Sequence, residues 1–183
     1  MVKAPGSAAA DFVVRAGALV KYNGAAADVA VPEGIPIIRV SAFFGCVGLT
    51  SVSIPASVLE IGVEAFWGCN KLHNVKLLIG LTSIYRRAFA DCNALEKIII
   101  PDSVIRIGEG AFIHCTKLAD VVISDKVLVA CYKTIYNDRI DGRYGPDKNF
   151  IREQLVSIFS ETPYKRTIEN RVSRLDHKNT GVR

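Results

Sequence analysis

Leu49-Thr-Ser-Val-Ser-Ile-Pro-Ala-Ser-Val-Leu-Glu-Ile-Gly-Val-Glu-Ala-Phe-Trp-Gly-Cys69 decides how this chain folds, because the rest of its first two-thirds repeats it. The closing phrase, Ala-Phe, two residues, Cys, occurs at Ala42 to Cys46, Ala65 to Cys69, Ala88 to Cys92 and Ala111 to Cys115, in steps of 23 residues. A fixed period of that size marks a solenoid, a stack of one unit that cannot bury its own apolar set alone. Leu49, Val52, Ile54, Val58 and Ile61 recur as Leu72, Val75, Leu77, Leu81 and Ile84, then as Leu95, Ile98, Ile100, Val104 and Ile107. A further rung starts with Leu118, Val121, Ile123 and Val127 and fails at Ala130 and Cys131. An incomplete rung precedes the first, with Val29, Val31, Pro32 and Ile35 in register.

Physical chemistry assigns a role to each part of the unit. Leu-x-x-Val-x-Ile is the alternation of a short strand, with Leu49, Val52 and Ile54 inward and Ser51 and Ser53 outward. Proline at Pro32, Pro55 and Pro101 lacks a ladder donor and ends the strand. Val58 and Ile61 predict a second, shorter extended stretch on the opposite wall, and Gly62 and Gly108 are read as the residues that let the backbone turn. Ala fits the tight bend, and Phe fills the wide end of the core.

The unit from Leu49 to Cys69 resembles the BspA-like, Treponema-type leucine-rich repeat family. The lead-in, Asp11 and Phe12 with Leu19, Tyr22, Gly24 and Val29 through Pro32, resembles the segment that opens such arrays. The resemblance covers about residues 11 to 130. It implies a curved, non-enzymatic solenoid used for protein binding and often for adhesion at bacterial or parasite surfaces, with no catalytic set to carry over. The expected fold is therefore a leucine-rich repeat solenoid of short parallel β-strands in a right-handed coil, closed by a C-terminal α-helical hairpin. Its expected divisions are a flexible N-terminus at 1–10, the array at 11–131, a linker at 132–146 and a helical segment at 147–183.

Composition suits a well-filled core, with 50% hydrophobic residues among 183. No apolar stretch reaches the length of a membrane span or a signal peptide, so the chain as written is expected in the cytosol, whereas the family resemblance implies a surface or secreted setting. Four of the five cysteines share one repeat position. Stacked side chains that point the same way meet poorly for a disulfide, so a column of buried free thiols is expected. One cysteine per rung is not a zinc pattern. Gly108-Glu-Gly110 lacks the third glycine of a dinucleotide fingerprint, since Ile113 stands there. His114 and Cys115, as neighbours in an extended coil, point to different sides, and His73 and His177 have no ligand partners at metal spacing. No catalytic, metal or cofactor set emerges, and no cofactor is expected.

Function is then sought on the outward positions. The candidate protein-binding face is Asp28 and Ala30, Ser51 and Ser53, Asn74 and Lys76, Lys97 and Ile99, Asp120 and Val122. Its apolar members, Ile99 and Val122, suggest coverage by a partner or by the chain's own tail. Trp67 is a second candidate, at the variable position where other units have Phe44, Ala90 and Ile113.

The tail changes period. Asp147 reads as an N-cap, followed by Phe150, Ile151, Leu155, Ile158 and Phe159 on one helical face. Thr162-Pro163 reads as cap and first-turn proline of a second helix bearing Ile168, Val172 and Leu175. Residues 132–183 hold 11 Lys and Arg against 7 Asp and Glu, whereas residues 1–131 hold 12 against 11. Lys165, Arg166, Arg171 and Arg174 form a candidate basic face. The alternative function is thus an intracellular scaffold or regulatory protein whose basic tail contacts an acidic partner or nucleic acid.

Overall fold

The computed structural model describes residues 9–138 and 148–178. Among them, an antiparallel hairpin of β1 (Phe12–Arg15) and β2 (Ala18–Tyr22) leads into rungs that each carry one longer and one shorter strand. The longer strands are β3 (Asp28–Ala30), β5 (Ser51–Ile54), β7 (Asn74–Leu77), β9 (Lys97–Ile99) and β11 (Asp120–Val122). Opposite them lie the two-residue strands β4 (Ile37–Ile38), β6 (Glu60–Ile61), β8 (Ser83–Ile84) and β10 (Arg106–Ile107). Three helices follow, α1 (Asp125–Asp138), α2 (Lys148–Ser157) and α3 (Lys165–Lys178).

All pairings between rungs are parallel and in the register of the repeat, for example Val52 with Val75 and Ile61 with Ile84. One wall is a six-stranded sheet in the order β1-β2-β4-β6-β8-β10, and the other comprises β3-β5-β7 and β9-β11. Between them the alternate apolar residues are buried, as the strand spacing requires.

The turn is built on Phe. Phe43, Phe66, Phe89 and Phe112 are fully buried and stack face to face, with centroids 4.6, 5.0 and 5.5 Å apart. Each turn holds two left-handed residues, one just before Ala and one just before Cys: Ser41 and Gly45, Glu64 and Gly68, Arg87 and Asp91, Gly110 and His114. The turning therefore falls there and not at Gly62 or Gly108, which are absent from the left-handed residues. Those two glycines serve another need. A Cβ at Gly62 would come 2.7 Å from the Arg39 carbonyl carbon, and one at Gly108 would come 2.4 Å from the Arg86 nitrogen, so they permit close approach between rungs.

Both ends continue the ladder with other elements. Tyr22 stacks on Phe43 at 5.0 Å, and its amide donates to the Ala42 carbonyl at 2.8 Å, the bond that Phe43 makes to Ala65 one rung later. At the far end Phe112 donates to Ile158 at 3.0 Å and stacks on Phe159 at 5.3 Å, as Phe89 does with Ala111 and Phe112. Ile158-Phe159-Ser160-Glu161-Thr162 is a further copy of the Ala-Phe-x-x-Cys turn. Glu161 has φ 60°, like His114. Thr162 takes the cysteine position, and its amide donates to Phe159 at 3.3 Å, matching Cys115 to Phe112 at 3.2 Å.

This arrangement corrects the expected tail. Residues 132–138, assigned to a linker, belong to α1, which starts at the fourth rung's proline corner because Ser124 stands there. The Ser124 hydroxyl accepts the Val127 amide at 3.3 Å, an N-cap that draws the chain out of the coil. Thr162 caps no second helix; its hydroxyl donates back to the Phe159 carbonyl at 2.7 Å, and α3 begins only at Lys165. The expected C-terminal helical hairpin is present as α2 and α3, and among the described residues α1 is an additional helix before it, with α1 against β10 and α2 against both other helices. Asp147 and the rest of the linker, 139–146, lie outside the described residues, as does the side chain of Phe150.

Candidate protein-binding face

The outward positions of the longer strands share one surface. Asp28, Ala30, Asn74, Lys76, Lys97, Ile99, Asp120 and Val122 are exposed, and Ser51 and Ser53 are half-buried, because the inward residue between each pair carries the core contact. Several of its polar groups pair with one another. Ser51 donates to the Asp28 carboxylate at 2.7 Å and Thr50 at 3.2 Å, while Lys97 meets Asp120 at 2.6 Å. Exposed pairs of this kind set local orientation more than stability. A shallow depression of about 520 Å³, lined by Glu96, Lys97, Lys117, Ala119 and Asp120, marks the last two rungs.

Ile99 and Val122 keep 53% and 47% of their surface exposed, since the described tail packs on the end of the stack rather than over this face. Two aliphatic side chains in paired register, open to water beside lysines, form a surface that gains by being covered. Glu96 and Lys117 join the face by folding; they flank the strands and so escape an alternation rule confined to the strands themselves.

Trp67 lies at the turn edge. Its indole Nε1 donates to the Asp91 carboxylate of the next rung, and its ring meets Phe44 edge to face at 5.2 Å. Asp91 was not singled out from the sequence, although its place one rung and one residue beyond Trp67 is the signal that finds it.

The cysteine column is structural. All five cysteines are free; Cys69, Cys92, Cys115 and Cys131 are buried and Cys46, in the first turn, is half-buried. The thiols of Cys69, Cys92 and Cys115 donate to the carbonyls of Phe43, Phe66 and Phe89 at 3.2, 3.3 and 3.0 Å, so each satisfies the preceding turn. Burial pushes the Cys69 and Cys131 thiols up to about 12. A hydrogen bond with Cys115 and then burial raise Cys92, whereas burial raises Cys46 against the opposing charge of Lys21.

A raised thiol pKa means that the folded chain holds protons the unfolded chain releases. The contribution of Cys69 and Cys131 is complete below the unfolded value of about 8.5 and is lost as pH climbs toward about 12. Urea midpoints are expected to fall from pH 9 upward. In native protein at pH 8, timed alkylation read by mass spectrometry is expected to label Cys46 first. Equal labelling of all five would contradict the buried column.

The candidate basic face is divided by the fold. Lys165, Arg166 and Arg174 are exposed on α3, but Arg171 turns to α1, donating to Asp125 at 2.6 Å and Tyr164 at 3.2 Å. The groove between α2 and α3, about 830 Å³, balances Arg152 and Lys165 with Glu153 and Glu169. Among the described residues no group of three His, Cys, Asp or Glu is placed to hold a metal, and no helix is long and apolar enough to cross a membrane.

A coil of parallel two-walled rungs with an internal Phe ladder is a leucine-rich repeat β-solenoid. The family model for the BspA-type leucine-rich repeat region matches residues 22–153 in six copies, and the chain belongs to that family. The chain is similar to a solved T. pallidum leucine-rich repeat protein, at 32% identity and TM-score 0.54, covering 63% of this chain and 70% of that one. It is also similar to a Bacteroides capillosus leucine-rich repeat protein, at 30% identity and TM-score 0.53, covering 58% and 86%. A leucine-rich cell surface protein from Faecalibacterium prausnitzii shares 32% identity at TM-score 0.43, with 62% of this chain and 37% of that one covered. No curated protein matches the chain.

Proposed function

We propose that the chain is a non-enzymatic protein-binding module of adhesion type that engages its partner with the longer-strand face. The observation that carries this reading is the paired exposure of Ile99 and Val122 beside Lys76 and Lys97, on a face that the described tail leaves open. The repeat spends its invariant positions on the core, which leaves the outward columns free to vary with the partner. The basic tail is the weaker binding surface, because Arg171 is engaged in docking α3 and the adjoining groove is charge-balanced.

The test uses two charge variants of the full chain, Lys76→Glu with Ile99→Asp on the face and Arg166→Glu with Arg174→Glu on the tail. Capture of partner proteins from surface extracts is expected to be lost in the first and kept in the second. The reverse pattern rejects the strand face and supports binding through the tail.

A further inference from the structure

A separate surface runs along the edge where the coil makes its Ala-Phe turns. Phe44 is 54% exposed there, between Val40 at 61% and Val47 at 57% in the same turn. One rung on, Trp67 stands at 86° to Phe44, so the two rings form a corner rather than a stack. The indole is held from behind. Asp91 accepts its Nε1 proton with one carboxylate oxygen and faces His114 Nδ1 at 3.2 Å with the other. Large aromatic side chains already fixed by the fold lose little freedom on binding, which is what makes such residues effective anchors.

The charges around the corner are unequal in availability. Arg39 precedes the turn that carries Phe44, and Arg86, in the repeat column of Val40 rather than of Arg39, precedes the turn two rungs later; both are exposed, and neither side chain has an ion-pair or hydrogen-bond partner among the described residues. Lys21, also exposed, lies close enough to act on Cys46 of the same edge. Two carboxylates of this edge are engaged: Glu64 is 4.0 Å from Arg87, and Asp91 serves Trp67 and His114. Glu109 is exposed, but one rung beyond Arg86. Free positive charge therefore stands in the rungs before and after Trp67, Arg39 in the rung of Phe44 and Arg86 in the rung that follows Trp67.

We infer that this edge is a second docking site, for an acidic peptide segment carrying an aliphatic or aromatic side chain. The side chain enters the corner of Phe44 and Trp67, and the flanking carboxylates reach Arg39 and Arg86. Charge complementarity selects an anionic partner. The ring geometry selects peptide over single-stranded nucleic acid, because successive bases stack on ring faces offered in series, which a perpendicular pair does not supply.

Trp67 is the only tryptophan in the sequence, so its emission reports this site without a label. The full chain is titrated with acetyl-Glu-Asp-Phe-Leu-Asp-Glu-amide, the same peptide with lysine in place of every acid, and a single-stranded oligonucleotide. A saturable change in emission is expected with the acidic peptide alone. The Arg39→Ala, Arg86→Ala double variant is expected to weaken it about tenfold, and Phe44→Ser to remove it, with the folded state of each variant verified by circular dichroism. No response up to about 1 mM acidic peptide overturns the inference. An equal response to the lysine peptide, tighter binding of the oligonucleotide, or an unchanged affinity in the double-arginine variant also overturns it.

Discussion

Phe89→Ala is expected to cost about 3–5 kcal/mol of folding stability, a large share of the roughly 5–15 kcal/mol that holds a domain together. Phe89 is fully buried, with Phe66 at 5.0 Å on one side and Phe112 at 5.5 Å on the other. Truncation removes its own buried surface and also a stacking partner from each neighbour. The rungs are hydrogen-bonded above and below, so the backbone has little freedom to collapse into the void. Urea denaturation checks this as a lowered midpoint with an unchanged slope. Phe44→Ala, in an equivalent turn but half exposed, is the internal comparison and is expected to stay within about 0.5 kcal/mol. Equal losses at the two positions would remove the distinction between a phenylalanine that builds the coil and one that decorates it.

Phe159→Ala is expected to rival Phe89→Ala, at about 3–5 kcal/mol, although Phe159 lies outside the 23-residue pattern. It is fully buried, stacks on Phe112 and carries Tyr164 on its other side at 5.2 Å. Its loss uncovers the end of the ladder and loosens α2 and α3 together, because the turn from Ile158 to Thr162 joins them. An uncapped solenoid exposes apolar core and unpaired strand edge, so association between molecules is expected alongside the lower urea midpoint. Light scattering on a monomeric preparation checks that second effect. A soluble monomer of unchanged midpoint would show that the tail rides on the array without closing it.

The rungs themselves could be read from the chain because period and alternation act together. A residue such as Val52 is buried for the same reason as Val75, 23 residues on, and each rung confirms the next. The tail resisted that reading. From Phe112 to Phe159 is 47 residues, which is not a multiple of 23, and Ile158 and Thr162 replace the Ala and Cys by which the turn is recognised. The turn survives the replacement because its hydrogen bonds are made by backbone, leaving the side chains free to change. The Ser124 corner failed for a related reason. A serine in place of proline reads as a worn repeat, yet it is the cap that starts α1.

The outward face was legible as a set of positions, since alternation alone places Ser53, Asn74 and Lys97 on one side. Whether the tail covers Ile99 and Val122 was not, because that depends on where the tail packs, and they stay exposed. The aromatic edge was half legible. Trp67 stood out as a variable residue, whereas Asp91, which pins it, becomes meaningful only when adjacent rungs are superposed.

The tail supplies the last turn of the stack, and amide hydrogen exchange tests that bond by bond. The Gly110 and Phe112 amides donate to Ser157 and Ile158, the tail's substitutes for a next rung. Their exchange is predicted to be slow, in the class of the Phe43, Phe66 and Phe89 amides, which donate to true rungs. Rapid exchange at Gly110 and Phe112, with the three other phenylalanine amides still protected, would contradict the account.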